Sequence, residues 1–88
     1  MTYKILISRS AEKELFKLSD TGYKRIAKAI DDLAENPRPA GVKKLKGGDE
    51  DFWRIRVGQY RIIYAVDDDI CVVDIRKVGN RRDIYKKR

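Results

Sequence analysis

The chain has 88 residues, 21 Lys+Arg against 14 Asp+Glu, and a formal charge of +7. One cysteine and no histidine exclude an internal disulfide, the usual zinc sites and every Ser-His or Cys-His nucleophile arrangement. No apolar run approaches the roughly 18 residues of a membrane span and no signal-peptide core is visible, so one soluble cytoplasmic domain over 1–88 is expected.

Tyr3 to Ile7 reads as a first strand. Ser8 or Ser10 is placed to cap a helix whose face carries Ala11, Leu15 and Leu18. Asp20-Thr21-Gly22 is read as a break, and a second helix is expected from about Tyr23 to Glu35, with Tyr23, Ile26, Ala27, Ile30, Leu33 and Ala34 at helical spacing. Neither Pro37 nor Pro39 can continue that helix.

The period then changes from 3.6 to 2. Val42–Lys46 is a short strand candidate followed by a Gly47-Gly48 turn. Phe52–Val57 and Tyr60–Val66 are strands joined by Gly58-Gln59, where glycine in first place suits a type II′ hairpin turn. Asp67–Asp69 makes the next turn, too poorly spaced for a calcium loop, and Ile70–Lys77 is the last strand. The expected fold is α+β: an N-terminal strand, a two-helix hairpin, then an antiparallel sheet of three to four strands with the helices on one face.

A two-residue loop at Gly58-Gln59 sets Val57 opposite Tyr60, Arg56 opposite Arg61 and Ile55 opposite Ile62. One face then collects Trp53, Ile55, Val57, Tyr60, Ile62 and Tyr64 as core. The other carries Arg54, Arg56 and Arg61, with Phe52 placed to stack on a base. A second two-residue loop at Asp68-Asp69 would set Arg76 beside Arg61, bring Asp74 near the same face and send Cys71, Val73 and Ile75 to the core. Directly opposed arginines cost stability, and guanidinium forks match phosphate geometry. Residues 76–88 add a further net charge of +6, so a polyanion is the expected partner.

Lys44-Leu45-Lys46-Gly47, Phe52-Trp53-Arg54-Ile55-Arg56, Gly58-Gln59-Tyr60-Arg61-Ile62-Ile63-Tyr64 and Val78-Gly79-Asn80-Arg81 with Tyr85 together resemble the RelE/ParE superfamily of toxin–antitoxin toxins, most closely its RelE branch. The resemblance spans essentially the whole chain. It implies a ribosome-dependent endoribonuclease that cuts mRNA in the ribosomal A site without a metal or other cofactor. It also implies a small acidic, amphipathic RelB-like antitoxin as partner, with ribosome and mRNA as targets. Carried over position by position, the functional residues fall on Arg54, Arg56, Arg61, Arg81 and Tyr85. Where the RelE pattern has lysines this chain has Arg54 and Arg56, and arginine is a poor proton donor, so the general acid stays unassigned.

Cleavage at a 2′-OH needs a base, stabilisation of the phosphorane and protonation of the 5′-oxygen. A tyrosine of ordinary pKa near ~10 serves as base only where cations favour its phenolate. Tyr85, with Arg81, Arg82, Lys86, Lys87 and Arg88 near it in sequence, is the candidate, and Arg61, Arg56 and Arg81 are expected to clamp the phosphate. Lys43, Lys44, Lys46, Arg76, Arg82, Lys86 and Lys87 are expected to contact RNA or ribosome. Two other readings remain open: a ParE-like inhibitor of DNA gyrase without nuclease activity, and a non-catalytic RNA-binding domain.

Overall fold

Two serines open the helices of this chain. In the computed structural model, which describes residues 2–45 and 52–80, the Ser8 side chain accepts from the Ala11 N–H and the Ser19 side chain from the Gly22 N–H, both at 3.1 Å. Each satisfies a donor that a helix start leaves unpaired. The elements in chain order are β1 (Lys4–Ile7), α1 (Arg9–Phe16), α2 (Asp20–Glu35), β2 (Lys43–Leu45), β3 (Phe52–Val57), β4 (Tyr60–Asp67) and β5 (Val72–Asn80).

The expected break at Asp20–Gly22 is corrected. The break is the short link before Ser19, and Asp20-Thr21-Gly22 forms the first turn of α2. Gly22 is buried there because the Tyr60 ring occupies the space a Cβ would need, with its hydroxyl 2.6 Å from that position. The helices bury Ala11 and Leu15 from α1 and Ile26, Ile30 and Leu33 from α2 against Ile62, Tyr64, Val73, Ile75 and Val78 of the sheet. Trp53, Ile55, Val57 and Tyr60 pack around that cluster, as the alternation predicts.

The sheet runs β1-β5-β4-β3-β2. Its antiparallel meander from β2 to β5 is the one expected, and β1 joins it as a parallel edge strand beside β5. β1 covers only part of β5. Past its end, Ser8 donates to the Arg76 carbonyl at 3.3 Å and the Val78 N–H donates to the Glu14 carboxylate at 2.9 Å. Helix α1 thereby occupies a sheet edge that would otherwise be open to another strand. No described helix is long and apolar enough to cross a membrane.

The β3–β4 hairpin has the expected register, with Val57 opposite Tyr60, Arg56 opposite Arg61 and Ile55 opposite Ile62. Gly58 has φ +64 and Gln59 is not among the positive-φ residues, the pattern of a type II′ turn. The β4–β5 connection departs from expectation. Asp67 pairs with Val72, so the loop holds Asp68 to Cys71. The Asp67 carboxylate accepts from the N–H groups of Asp69 and Ile70 at 3.0 and 3.3 Å, and Cys71 closes the loop at φ +53. Cys71 is therefore a half-buried turn residue and not a core strand residue. A register shift opposite Ile63 and Tyr64 then inserts an extra residue in β5 at Arg76. Arg61 consequently faces Gly79, and Arg76 does not sit beside it.

Candidate nucleic-acid interface

Because both helices pack on the core side, the opposite sheet face carries no helix among the described residues. Its side chains follow from strand parity. One row across the strands holds Lys43, Arg54 and Ile63, and the next holds Arg56, Arg61 and Gly79. Three expected site arginines, Arg54, Arg56 and Arg61, thus share one face, and Arg56 and Arg61 are direct cross-strand neighbours.

Their surroundings differ. Arg56 is exposed and Arg54 half-buried, whereas Arg61 is only 2% exposed. Gly79 opposite it offers no side chain of its own, so the burial of Arg61 does not come from its cross-strand neighbour on β5. A guanidinium held out of water keeps its charge and pulls harder on an anion than one in bulk solvent. At the β2–β3 end of the face, Ala40, Gly41, Lys43, Arg54, Ile55 and Arg56 line a cleft of about 370 Å³. Such a surface can grip a phosphodiester at more than one oxygen and stabilise charge that builds on it.

Asp74 reaches this side of the sheet as expected, but it forms an ion pair with Arg76 at 3.1 Å. Arg76 in turn lies with its guanidinium carbon 6.0 Å from the Phe52 ring centroid. Lys43 stands beside Arg54, whereas Lys44 faces Trp53 on the core side, its Nζ 5.8 Å from the ring. The expected site residues Arg81 and Tyr85, and the expected contacts Lys46, Arg82, Lys86 and Lys87, lie outside the described residues.

The described tyrosines have other employment. Tyr64 is fully buried and donates to the Pro37 carbonyl at 2.7 Å. Burial pushes its pKa up to about 12. Tyr60 packs in the core, and Tyr23 stacks near Phe16 with centroids 6.5 Å apart. Tyr3 donates to Asp68 at 2.7 Å, and that hydrogen bond raises its pKa.

Sequence reasoning passed over Arg38. Its guanidinium grips Asp68 with both nitrogens, at 3.2 and 2.8 Å, and sits 5.0 Å from the Trp53 ring centroid. The Arg38 hydrogen bonds, followed by that from Tyr3, lower the Asp68 pKa. This cluster ties the segment after α2 to the β4–β5 turn. The only sequence trace of it is a cation held between two prolines, Pro37 and Pro39.

Residues 5–85 match the family described as the ParE toxin of type II toxin–antitoxin systems. The chain belongs to that family. It is 31% identical over 88 residues to the toxin RelG of Mycobacterium tuberculosis, covering 99% of this chain and 100% of that one. Over 90 residues it is 30% identical to the mRNA interferase toxin RelE of Escherichia coli K12, covering 99% and 94% of the two chains. Among solved structures, the archaeal RelE–RelB complex of Pyrococcus horikoshii OT3 superposes with TM-score 0.80 at 35% identity, over 92% of this chain and 97% of that one. The isolated E. coli RelE toxin superposes with TM-score 0.74 at 30% identity, over 89% and 83% of the two chains.

Proposed function

We propose that this family member is the toxin of a type II toxin–antitoxin pair and acts as a ribosome-dependent endoribonuclease on mRNA. The observation that carries the reading is the sheet face, bare of helices among the described residues, on which Arg54, Arg56 and Arg61 stand together, with Arg56 directly opposite Arg61. A cross-strand pair of like charges opposes folding, and an anion lodged between the two turns that repulsion into attraction. The E. coli relative's name as an mRNA interferase supplies the chemistry of the anion.

In the mechanism, Arg61 and Arg56 bind the scissile phosphate and neutralise the charge that develops on the phosphorane, with Arg54 and Arg81 alongside. Tyr85 takes the proton from the 2′-OH, whose oxygen attacks phosphorus as the bond to the 5′-oxygen breaks. The leaving oxygen takes up a proton, giving a 2′,3′-cyclic phosphate and a 5′-hydroxyl. The ribosome supplies alignment of the 2′-oxygen, a proximity contribution that a free, flexible strand lacks. The RelE–RelB complexes among similar structures support a RelB-like antitoxin as partner, acidic where it crosses the arginine face. Translating ribosomes place the action in the cytoplasm.

The test is to map 5′ ends on ribosomes programmed with a defined mRNA. The wild-type chain cuts within the A-site codon, and Arg61→Ala lowers the rate about 10²- to 10³-fold, the usual loss for one oxyanion-stabilising group. Equal cutting by both proteins, or inhibition of gyrase supercoiling in place of any cutting, overturns the reading.

A further inference from the structure

We propose that Phe52 and Arg76 form a nucleobase clamp next to the arginine row, so that the row holds RNA phosphate and the clamp holds a neighbouring base. The inference rests on the RNA-cleaving reading and adds where the substrate's base goes.

One row across the sheet face opposite the helices reads Leu45, Phe52, Ala65, Asp74 and Leu6, each opposite the next on adjacent strands. Ala65 is the smallest side chain in that row, and it leaves a trough between Phe52 and Asp74. Ala65, Asp74 and Arg76 also border a cleft of about 600 Å³ whose far end carries the turn carboxylates Asp67, Asp68 and Asp69, so the RNA phosphate belongs on the arginine side and not in that cleft. Phe52 is half-buried, so its ring is anchored and still accessible.

Arg76 spans this trough. Its guanidinium carbon is 6.0 Å from the Phe52 ring centroid, at the outer edge of the roughly 6 Å reach of a direct cation–π contact. Two successive stacking intervals of about 3.4 Å come to nearly the same span. A planar base fills such a gap with a small swing of the arginine, one face on the phenyl ring and the other under the guanidinium. Aromatic rings and arginine planes are the two surfaces on which unpaired RNA bases stack. Asp74, 3.1 Å from Arg76, steadies the guanidinium while leaving the arginine side chain 46% exposed. The bulge in β5 at Arg76 is a device that re-aims a side chain.

The spacing also fits. Phe52 and Arg54 are two residues apart on one strand and on one face, about 6.8 Å along β3. One nucleotide can then rest its base on Phe52 and its phosphate on Arg54. Burial of apolar surface alone does not need the ring's π face, and this separates a clamp from a merely greasy patch.

The experiment titrates the full chain into a short single-stranded RNA carrying one 2-aminopurine, whose fluorescence falls on stacking, and measures KM and kcat on programmed ribosomes in parallel. Wild type quenches the probe. Phe52→Leu, which keeps the apolar volume, binds about 5- to 100-fold more weakly, loses the quench and raises KM more than it lowers kcat, while Phe52→Trp restores both. Arg76→Gln, at an exposed position outside the core, reduces the quench in the same direction and serves as the second probe. Unchanged quenching and KM in both Phe52→Leu and Arg76→Gln overturn the clamp. Absence of cutting by the wild type would instead defeat the nuclease reading, whatever the quench.

Discussion

Arg56→Thr should make this protein more stable and less active at once. In the wild type, Arg56 and Arg61 are directly opposite across β3 and β4, which sets their Cβ atoms about 5 Å apart. Like charges directly opposite each other on a strand pair oppose folding by about 0.2–1 kcal/mol, here with one guanidinium buried and the other exposed. Arg56 is exposed, so its truncation removes little packing, and threonine suits a strand. The expected gain is about 0.2–1 kcal/mol, or about 1–8 °C in Tm for a domain of this size. Urea denaturation at low salt and at about 1 M salt separates the cause, because a Debye length of about 3 Å at the higher value removes most of the repulsion. The gain should shrink there towards the intrinsic preference for threonine. On programmed ribosomes the same variant should cut about 10²-fold more slowly. A variant less stable than wild type at both salt concentrations would refute the electrostatic argument. Wild-type cutting would refute the placing of Arg56 on the scissile phosphate.

Three further outcomes follow from the fold. Tyr64→Phe removes the hydroxyl from the Pro37 carbonyl and should cost about 1–2 kcal/mol at neutral pH. Because the folded Tyr64 pKa is raised to about 12 from 10.0, the wild type loses up to about 2.7 kcal/mol as pH rises from 10 through 12; the wild-type and variant stability curves should meet and cross there, measured by urea midpoints. Asp68, lowered by Arg38 and Tyr3, contributes stability above its unfolded pKa that is lost as pH falls through the lower folded value, so Asp68→Asn should flatten the acid limb of a stability–pH curve. Gly22→Ala, normally worth about 1 kcal/mol in a helix, should instead destabilise by about 1–2 kcal/mol, since its Cβ would lie 2.6 Å from the Tyr60 hydroxyl; adding Tyr60→Phe should recover part of the loss in thermal melts.

What could be read in advance depended on how tightly each turn fixes its neighbours. Gly58-Gln59 permits one loop length, and from it the pairing of every residue in β3 and β4 follows, including the meeting of Arg56 and Arg61. Asp67–Asp69 permits several. The Asp67 carboxylate organises the turn around its own backbone, and Cys71 adopts a left-handed conformation that nothing in its side chain advertises. Two added loop residues and a bulge then carried Arg76 away from Arg61. Gly22 looked like a helix breaker because its reason for being glycine, the Tyr60 ring, lies 38 positions along the chain. β1 was legible as a strand, but no local pattern names the strand it will join, and its parallel partner β5 lies at the other end of the described chain, with Ile5 opposite Val73.

The same displacement gives the face opposite the helices its two chemistries. Had Arg76 lain beside Arg61, the face would be one undivided cationic patch, suited to any polyanion. Moved by the bulge and tied to Asp74, it instead stands over an aromatic ring 6.0 Å away, two side-chain rows from the opposed arginines with the Arg54 row between. On the proposed reading, a base site at Phe52 and a phosphate site at Arg54 lie two residues apart on one strand, about 6.8 Å, so a single nucleotide can engage both. A charge-neutralising partner needs only the arginines, whereas RNA held as proposed also needs the ring, so loss of binding on Phe52→Leu for RNA but not for an acidic protein partner would distinguish the two uses of this face.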